Sequence, residues 1–279
     1  MGSSLKANAV WDLLKSEQPD LLLLQETKIS DQEFQNHTKR SKNYSGTTIS
    51  AAGASGGIGT IWNKNKWELT NQNSHSWWVR TDIQNKASKE DYTIYNIYAP
   101  NHNRDKASCW DSITTDPLAV QGRSIFLGGD LNLIRNADEK LGGNFYADPS
   151  RDSLEAIIQT HNLVDIPPQN GRFTWSNKRI GNSNIKERRD RILVQEGIVA
   201  SFPNIKSKII QGYTSDHKPV ALILDKGRIM GPLPFKYNKA WDSKEEFREL
   251  IKEQWAKEII GSPHYIWEAK LKSLRTVIK

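Results

Sequence analysis

The chain has 279 residues, 37% of them hydrophobic and 25% charged, with ten tryptophans, which excludes a disordered chain and leaves ample length to bury a core. Lys and Arg number 39 against 32 Asp and Glu, a net charge of +7 that suits a polyanionic partner. The single cysteine, Cys109, excludes an intrachain disulfide framework and a thiolate metal cluster, and favours a reducing compartment. No apolar run approaches the roughly 20 residues of a membrane helix, and residues 1–18 lack the apolar stretch of a signal peptide, so an intracellular protein without a membrane partner is expected.

Residues 4–17 place Leu5, Ala9, Leu13 and Leu14 on one face at helical spacing, with Ser4 as N-cap, and Pro19 stops the helix. The run DLLLLQET then reads as a strand buried on both faces that delivers Gln25 and Glu26 at its C-terminal end. Strand-like runs recur at 56–63, 92–101, 124–132, 188–194 and 217–224, with helices expected at 106–120 and 152–161. Mixed strands and helices predict a layered α/β domain over residues 1–225. Gly227, Gly231, Pro232 and Pro234 then read as a linker. Beyond it, 243–260 and 263–279 read as amphipathic helices, with Phe247, Leu250, Ile251, Trp255 and Ile259 in one packing stripe. Residues 226–279 are thus a linker and helical connector, and the abrupt end within the last helix reads as a truncation.

Most predicted strand ends carry residues that a divalent-metal phosphoesterase needs. Glu26 offers hard carboxylate oxygens suited to magnesium. Asp130 and Asn132, in GDLN, point the same way if the two-residue strand period holds. Asp216 and His217, in SDHKP, add an acid and a group that titrates near neutrality, and Tyr98 adds a phenol that can donate to a phosphate oxygen. Phosphodiester hydrolysis needs a base for water, a metal against charge developing at phosphorus, and donors around the non-bridging oxygens. Each residue alone fits a plain reading as a loop acid, an Asp-headed turn or a packed aromatic; their shared place at strand ends gives them weight together. Residues 178–189, KRIGNSNIKERR, read as a basic hairpin loop on the rim of that site.

The segments LLLLQETK, GGIGTIWN, IYNIYAPN, GGDLN, GRFTWSN, RRDRILV and SDHKP, in this order, resemble the endonuclease/exonuclease/phosphatase superfamily. They resemble more closely the apurinic-endonuclease-like domain of LINE-type non-LTR retrotransposons, plant-type elements in particular, and PLPFKYNKAWDSKEEF resembles the connector toward their reverse transcriptase. The resemblance implies a DNase I-like two-layered sandwich of two mixed sheets within four α/β/β/α layers, followed by a short helical tail. It implies Mg2+- or Mn2+-dependent nicking of DNA to leave a 3′-hydroxyl, in the nucleus, with a reverse transcriptase as partner in the full-length element. It assigns His217, Asp130, Tyr98 and Asp190 to catalysis, Glu26 and Asp216 to metal, and Asn132, Thr174 and Ser215 to phosphate or substrate. Lys178, Arg179, Lys186 and Arg188 become the DNA-contacting loop. A phosphatase of the same superfamily acting on an inositol or lipid phosphate, and an inactive nucleic-acid-binding remnant, are the alternative readings.

Two departures from the family pattern stand out. The family's domain opens with a strand ending in an Asn within W-N-x-R-G, whereas this chain begins MGSSLKANAV, so loss of an inner strand and weakened nuclease activity are expected. Arg189 stands where the family has an apolar residue in a buried strand, so an acidic partner or a local disturbance is expected there.

Overall fold

The computed structural model describes residues 4–51, 56–116, 123–212, 215–225 and 244–278. Its elements run α1 (Ser4–Ser16), β1 (Leu21–Gln25), α2 (Asp31–Lys39), β2 (Tyr44–Ile49), β3 (Ile58–Asn63), β4 (Trp67–His75), β5 (Trp78–Asn85), β6 (Asp91–Tyr98), α3 (Asn103–Thr114) and β7 (Ser124–Asp130). Then come β8 (Lys140–Leu141), α4 (Arg151–Thr160), β9 (Leu163–Asp165), β10 (Trp175–Ser176), β11 (Lys186–Glu187), β12 (Asp190–Gln195), α5 (Glu196–Ser201), β13 (Lys206–Ile209), β14 (Val220–Ile223), α6 (Glu245–Ala256) and α7 (Pro263–Ile278). The chain divides into two compact units, Met1–Gly227 and Arg228–Lys279.

Within the first unit a six-stranded sheet of order β4-β5-β6-β7-β12-β9 faces a three-stranded sheet of order β1-β3-β2, and β13 pairs with β14. Leu21 and Leu23 from β1 pack on Ile83, Tyr92 and Ile94 of the large sheet, forming the inter-sheet core. On the other face of the large sheet, Trp110 and Ile113 of α3 and Leu154 and Ile157 of α4 cover Tyr95, Ile97, Leu127 and Leu193. Val10, Trp11 and Leu14 of α1 and Phe34 of α2 cover Ile61 of the small sheet. Four layers, α/β/β/α, are therefore present. Only the large sheet is mixed among the described residues, through the parallel β6–β7 pair that α3 bridges, whereas β1-β3-β2 is antiparallel.

The polyleucine run forms β1 as expected, but it is half-buried rather than buried on both faces. Among the described residues its register partner is β3 alone, and this edge position leaves part of each leucine open. Helix α2 carries the signal Ser30-x-x-Glu33, a capping box in which Ser30 Oγ accepts from the Glu33 amide and Glu33 receives the Ser30 amide. Sequence periodicity overlooked β5, because Arg80, Thr81 and Asp82 break its apolar pattern although all three are buried. Arg80 satisfies this burial by pairing with Asp116 at 2.8 Å and Asp82 at 3.3 Å.

In the second unit, the predicted stripe is partly replaced by a polar seam. Gln254 is buried and receives hydrogen bonds from Lys257 and Ser273, whereas Trp255 is exposed and Ile259 lies beyond the end of α6. The linker glycines and prolines at 227–234 lie outside the described residues.

Candidate active site

Three adjacent strands end level with one another. In parallel register Tyr98 of β6 stands opposite Asp130 of β7, and in antiparallel register Asp130 stands opposite Asp190 of β12. A row across a sheet places its side chains on one face, so Tyr98, Asp130 and Asp190 converge. Gly129 makes the approach possible: its φ is +134°, and a Cβ there would fall on the Ile97 carbonyl oxygen.

Asn132 is beyond the end of β7, so strand alternation does not align it with Asp130. Its backbone is left-handed, φ 45°, and its amide N–H donates to Asp130 Oδ1 at 3.0 Å, a short Asx turn. Asn132 Nδ2 donates to the Ala99 carbonyl at 2.7 Å. Buried Lys106 grips the same turn, donating to the Asn132 carbonyl at 2.7 Å and pairing with Asp148.

His217 arrives from the opposite side. The segment before β14 lies along β10: Ser176 N–H donates to the Asp216 carbonyl and Lys218 N–H to the Thr174 carbonyl. Ser215 Oγ accepts the His217 amide at 3.2 Å and holds the bend. The imidazole Nδ1 lies 3.1 and 3.0 Å from the two Asp190 oxygens, and Nε2 lies 3.7 Å from Asp130 Oδ2. Burial opposes protonation, but the Asp190 hydrogen bond and the Asp190, Asp130 and Asp216 charges raise the His217 pKa above its ordinary value. Burial and the Asp190 charge hold the Asp130 carboxyl above the usual carboxylate range against the opposing pull of His217.

Glu26 follows β1 in a left-handed conformation, φ 49°. Gln25, just before it, donates to Asn96 at 2.5 Å, and buried Asn96 donates to the Gly59 carbonyl at 2.9 Å, joining the two sheets beneath the site. Tyr98 Oη donates to Glu26 Oε1 at 2.5 Å, and Lys28 lies 3.2 Å from Oε2. Burial raises the Glu26 pKa, but the Tyr98 and Lys28 contacts carry it below the ordinary value; burial and the same hydrogen bond push the Tyr98 phenol up. Asp216 receives the Trp175 indole N–H at 3.2 Å.

Thr174 and Arg188 are positioned differently from the sequence expectation. Thr174 is fully buried, so it cannot face a substrate; its Oγ1 accepts the backbone amides of Arg189 at 3.1 Å and Asp190 at 3.0 Å. Arg188 is buried rather than on a DNA-contacting loop. Its guanidinium pairs with Glu139 at 3.0 Å and Asp165 at 2.5 Å, because a cation drawn into the interior requires carboxylate partners. Lys178, Arg179 and Lys186 are exposed on and beside the β10–β11 hairpin, and Lys178, Lys186, Ser215 and Asp216 line one shallow cleft.

The sequence reading missed Trp175, Glu187, Lys140, Lys106 and Asn96. Trp175 was within the quoted FTWSN, but nothing local marks an indole as a carboxylate donor. Arg189 finds its acidic partner in Glu187, with Nε at 2.6 Å. Four carboxylates, Glu26, Asp130, Asp190 and Asp216, surround one histidine. Their oxygens are hard donors, and those of Glu26 and Asp216, bordering solvent, suit a divalent cation such as magnesium. Asp130, Asp190 and His217 also present ligand atoms within 4.8 Å of one another, although both Asp190 oxygens already engage His217.

The fold is shared with several solved nucleases and phosphatases. An apurinic endonuclease from Leishmania major superposes with a TM-score of 0.62 at 18% identity, covering 77% of this chain and 81% of that one. A 3′ phosphatase from Neisseria, solved with a product DNA hairpin, gives 0.62 at 16% identity over 80% and 95%. The endonuclease domain of TRAS1, a telomere-specific non-LTR retrotransposon, gives 0.60 at 14% identity over 80% and 93%. No curated protein matches the sequence. The profile of the Endonuclease/Exonuclease/phosphatase family spans residues 1–217, and the chain belongs to that family.

Proposed function

We propose that the chain is a metal-dependent endonuclease that nicks DNA, leaving a 3′-hydroxyl and a 5′-phosphate. The observation that carries this reading is the continuous series Asp190–His217–Asp130 beside the Glu26–Tyr98 pair. Asp190 on Nδ1, with Asp130 and Asp216 nearby, raises the His217 pKa and so favours the imidazolium, whose Nε2–H donates to a non-bridging phosphate oxygen. Asp130 orients the attacking water and takes its proton. The water oxygen bonds to phosphorus, the P–O3′ bond breaks, and the departing O3′ takes a proton from solvent water. Asn132 Nδ2 gives one N–H to Ala99 and donates the other to the phosphate, Tyr98 holds Glu26 in place beside it through its single hydroxyl proton, and Ser215 keeps Asp216 and His217 in register. Glu26 and Asp216 would hold magnesium or manganese, which would supply charge neutralisation at the phosphate.

The exposed Lys178, Arg179 and Lys186 favour a polymeric phosphate backbone over a small inositol or lipid phosphate. We infer further that the domain derives from a LINE-type element acting in the nucleus beside a reverse transcriptase; the collinear motifs and the likeness to the TRAS1 domain support this. The test is incubation of the full chain and magnesium with supercoiled plasmid, an abasic duplex, a 3′-phosphate oligonucleotide and an inositol phosphate. Nicked plasmid with 3′-hydroxyl ends, absent for Glu26→Ala, is expected; turnover of the inositol phosphate alone would overturn the reading.

A further inference from the structure

Arg189 immediately precedes β12 and is half-buried rather than enclosed in a strand. Its guanidinium carbon sits 3.7 Å above the centre of the Trp175 ring, the same indole that holds Asp216. Nε and a terminal nitrogen bind Glu187 Oε2 at 2.6 and 2.5 Å, while the other terminal nitrogen, Nη1, reaches only to 3.4 Å from Asn132 Oδ1. The side chain keeps 22% of its surface open. One face is thus stacked, one edge is clamped, and the remaining N–H edge is weakly engaged beside Asn132.

Charge makes this arrangement more than a brace. Glu187 Oε1 already binds Lys140 at 2.5 Å, so one carboxylate serves two cations. Glu187 is held below the ordinary carboxylate pKa, with burial opposing and Lys140 and Arg189 overcoming it, so it carries one full negative charge against two positive ones. A net positive charge therefore remains beside a site otherwise crowded with acids. Lys140, Glu187 and Asn132 also line a cleft of about 210 Å³ that opens from this point, with Asn103 and Asn144 on its other walls. A fork preorganised by an aromatic face and a single carboxylate loses little rotamer freedom on binding, and its planar N–H edge matches phosphate geometry.

We propose that Arg189 is a phosphate-binding residue for the nucleic-acid strand at this site, held for that contact by Trp175 and Glu187. This rests on the reading of DNA as substrate. The contact lies beside Asn132, whose amide N–H binds Asp130, so the phosphate it takes is a neighbour of the reacting one. Arg188, next in sequence, takes no part, because its charge is consumed by Glu139 and Asp165.

The test measures duplex binding by fluorescence anisotropy across a salt series, with nicking followed in parallel, using the full chain. Arg189→Gln is expected to weaken binding and reduce the slope of log K against log salt by about 0.9, one phosphate contact. Arg189→Lys, which keeps the charge, keeps most of the slope. Lys66→Gln, a surface cation paired with Asp20, leaves it unchanged. An unchanged slope in a folded Arg189→Gln overturns the proposal. Mapping arginines modified by a dicarbonyl reagent in the wild-type chain gives a second reading that needs no variant: DNA shields Arg189, and equal labelling with and without DNA refutes the contact. A lowered slope and shielding in a wild type that nicks nothing would retain Arg189 as a phosphate ligand while refuting the nuclease reading. Efficient nicking with an unchanged slope would do the reverse.

Discussion

At the scale of single residues, the site depends on a few groups whose partners are unambiguous. Asp190 places both oxygens on His217 Nδ1, so Asp190→Asn removes a charge that raises the His217 pKa and orients its ring. We expect kcat for nicking to fall roughly 100- to 10,000-fold, with the melting temperature little changed, as read by steady-state kinetics and thermal unfolding. Thr174→Val leaves the Arg189 and Asp190 amides without their side-chain acceptor and costs about 1–3 kcal/mol in chemical unfolding. Glu26, Tyr98, Asp130, Asp216 and His217 were all legible in the sequence, since each is a polar residue at or just beyond a predicted strand end. Thr174 and Arg188 were misread because their motif position is visible in sequence but the direction of the side chain is not. Arg188 differs from exposed Lys186 two residues earlier only by the carboxylates that folding brings to it from Glu139 and Asp165.

At the scale of elements, the strand order makes the site, and buried polar groups keep the strands in register. Arg191 of β12 is fully buried and pairs with Asp165 at 2.7 Å and with Glu139. With Arg188 on the same acids, this cluster anchors the stretch on either side of Asp190. Arg191→Met strands carboxylate charge in the interior and costs about 3–5 kcal/mol. Burial alone would raise the Glu139 pKa, but the Arg191 hydrogen bond and charge, with Arg188, carry it below the ordinary value. A depressed folded-state pKa contributes stability above the unfolded value and loses it as pH falls through the folded one. Unfolding free energy should therefore decline below pH 4.5, and Glu139→Gln should flatten that decline in denaturant titrations at several pH values. The helices α1, α3 and α4 and most core strands were legible because their apolar spacing is regular. β5 was not, since its buried Arg80, Thr81 and Asp82 look like loop residues until Asp116 arrives from beyond α3.

At the scale of the molecule, Met1–Gly227 and Arg228–Lys279 are separate compact units, and every candidate site residue belongs to the first. A chain ending at Gly227 is expected to keep one of the melting transitions of the full chain at its original temperature and to retain nicking, as measured by calorimetry and plasmid relaxation. The +7 charge also acquires a place: exposed Lys178 and Lys186 border the cleft that Ser215 and Asp216 line, with exposed Arg179 next to Lys178 in sequence, while several other cations are consumed in buried pairs. Net charge alone could not separate these two populations. The experiment that decides most directly is plasmid nicking by the full chain with magnesium, beside Glu26→Ala and His217→Ala. Nicked circles with 3′-hydroxyl ends from the wild type, and none from either variant, are the predicted result; equal nicking by all three proteins, or none by the wild type, would contradict it.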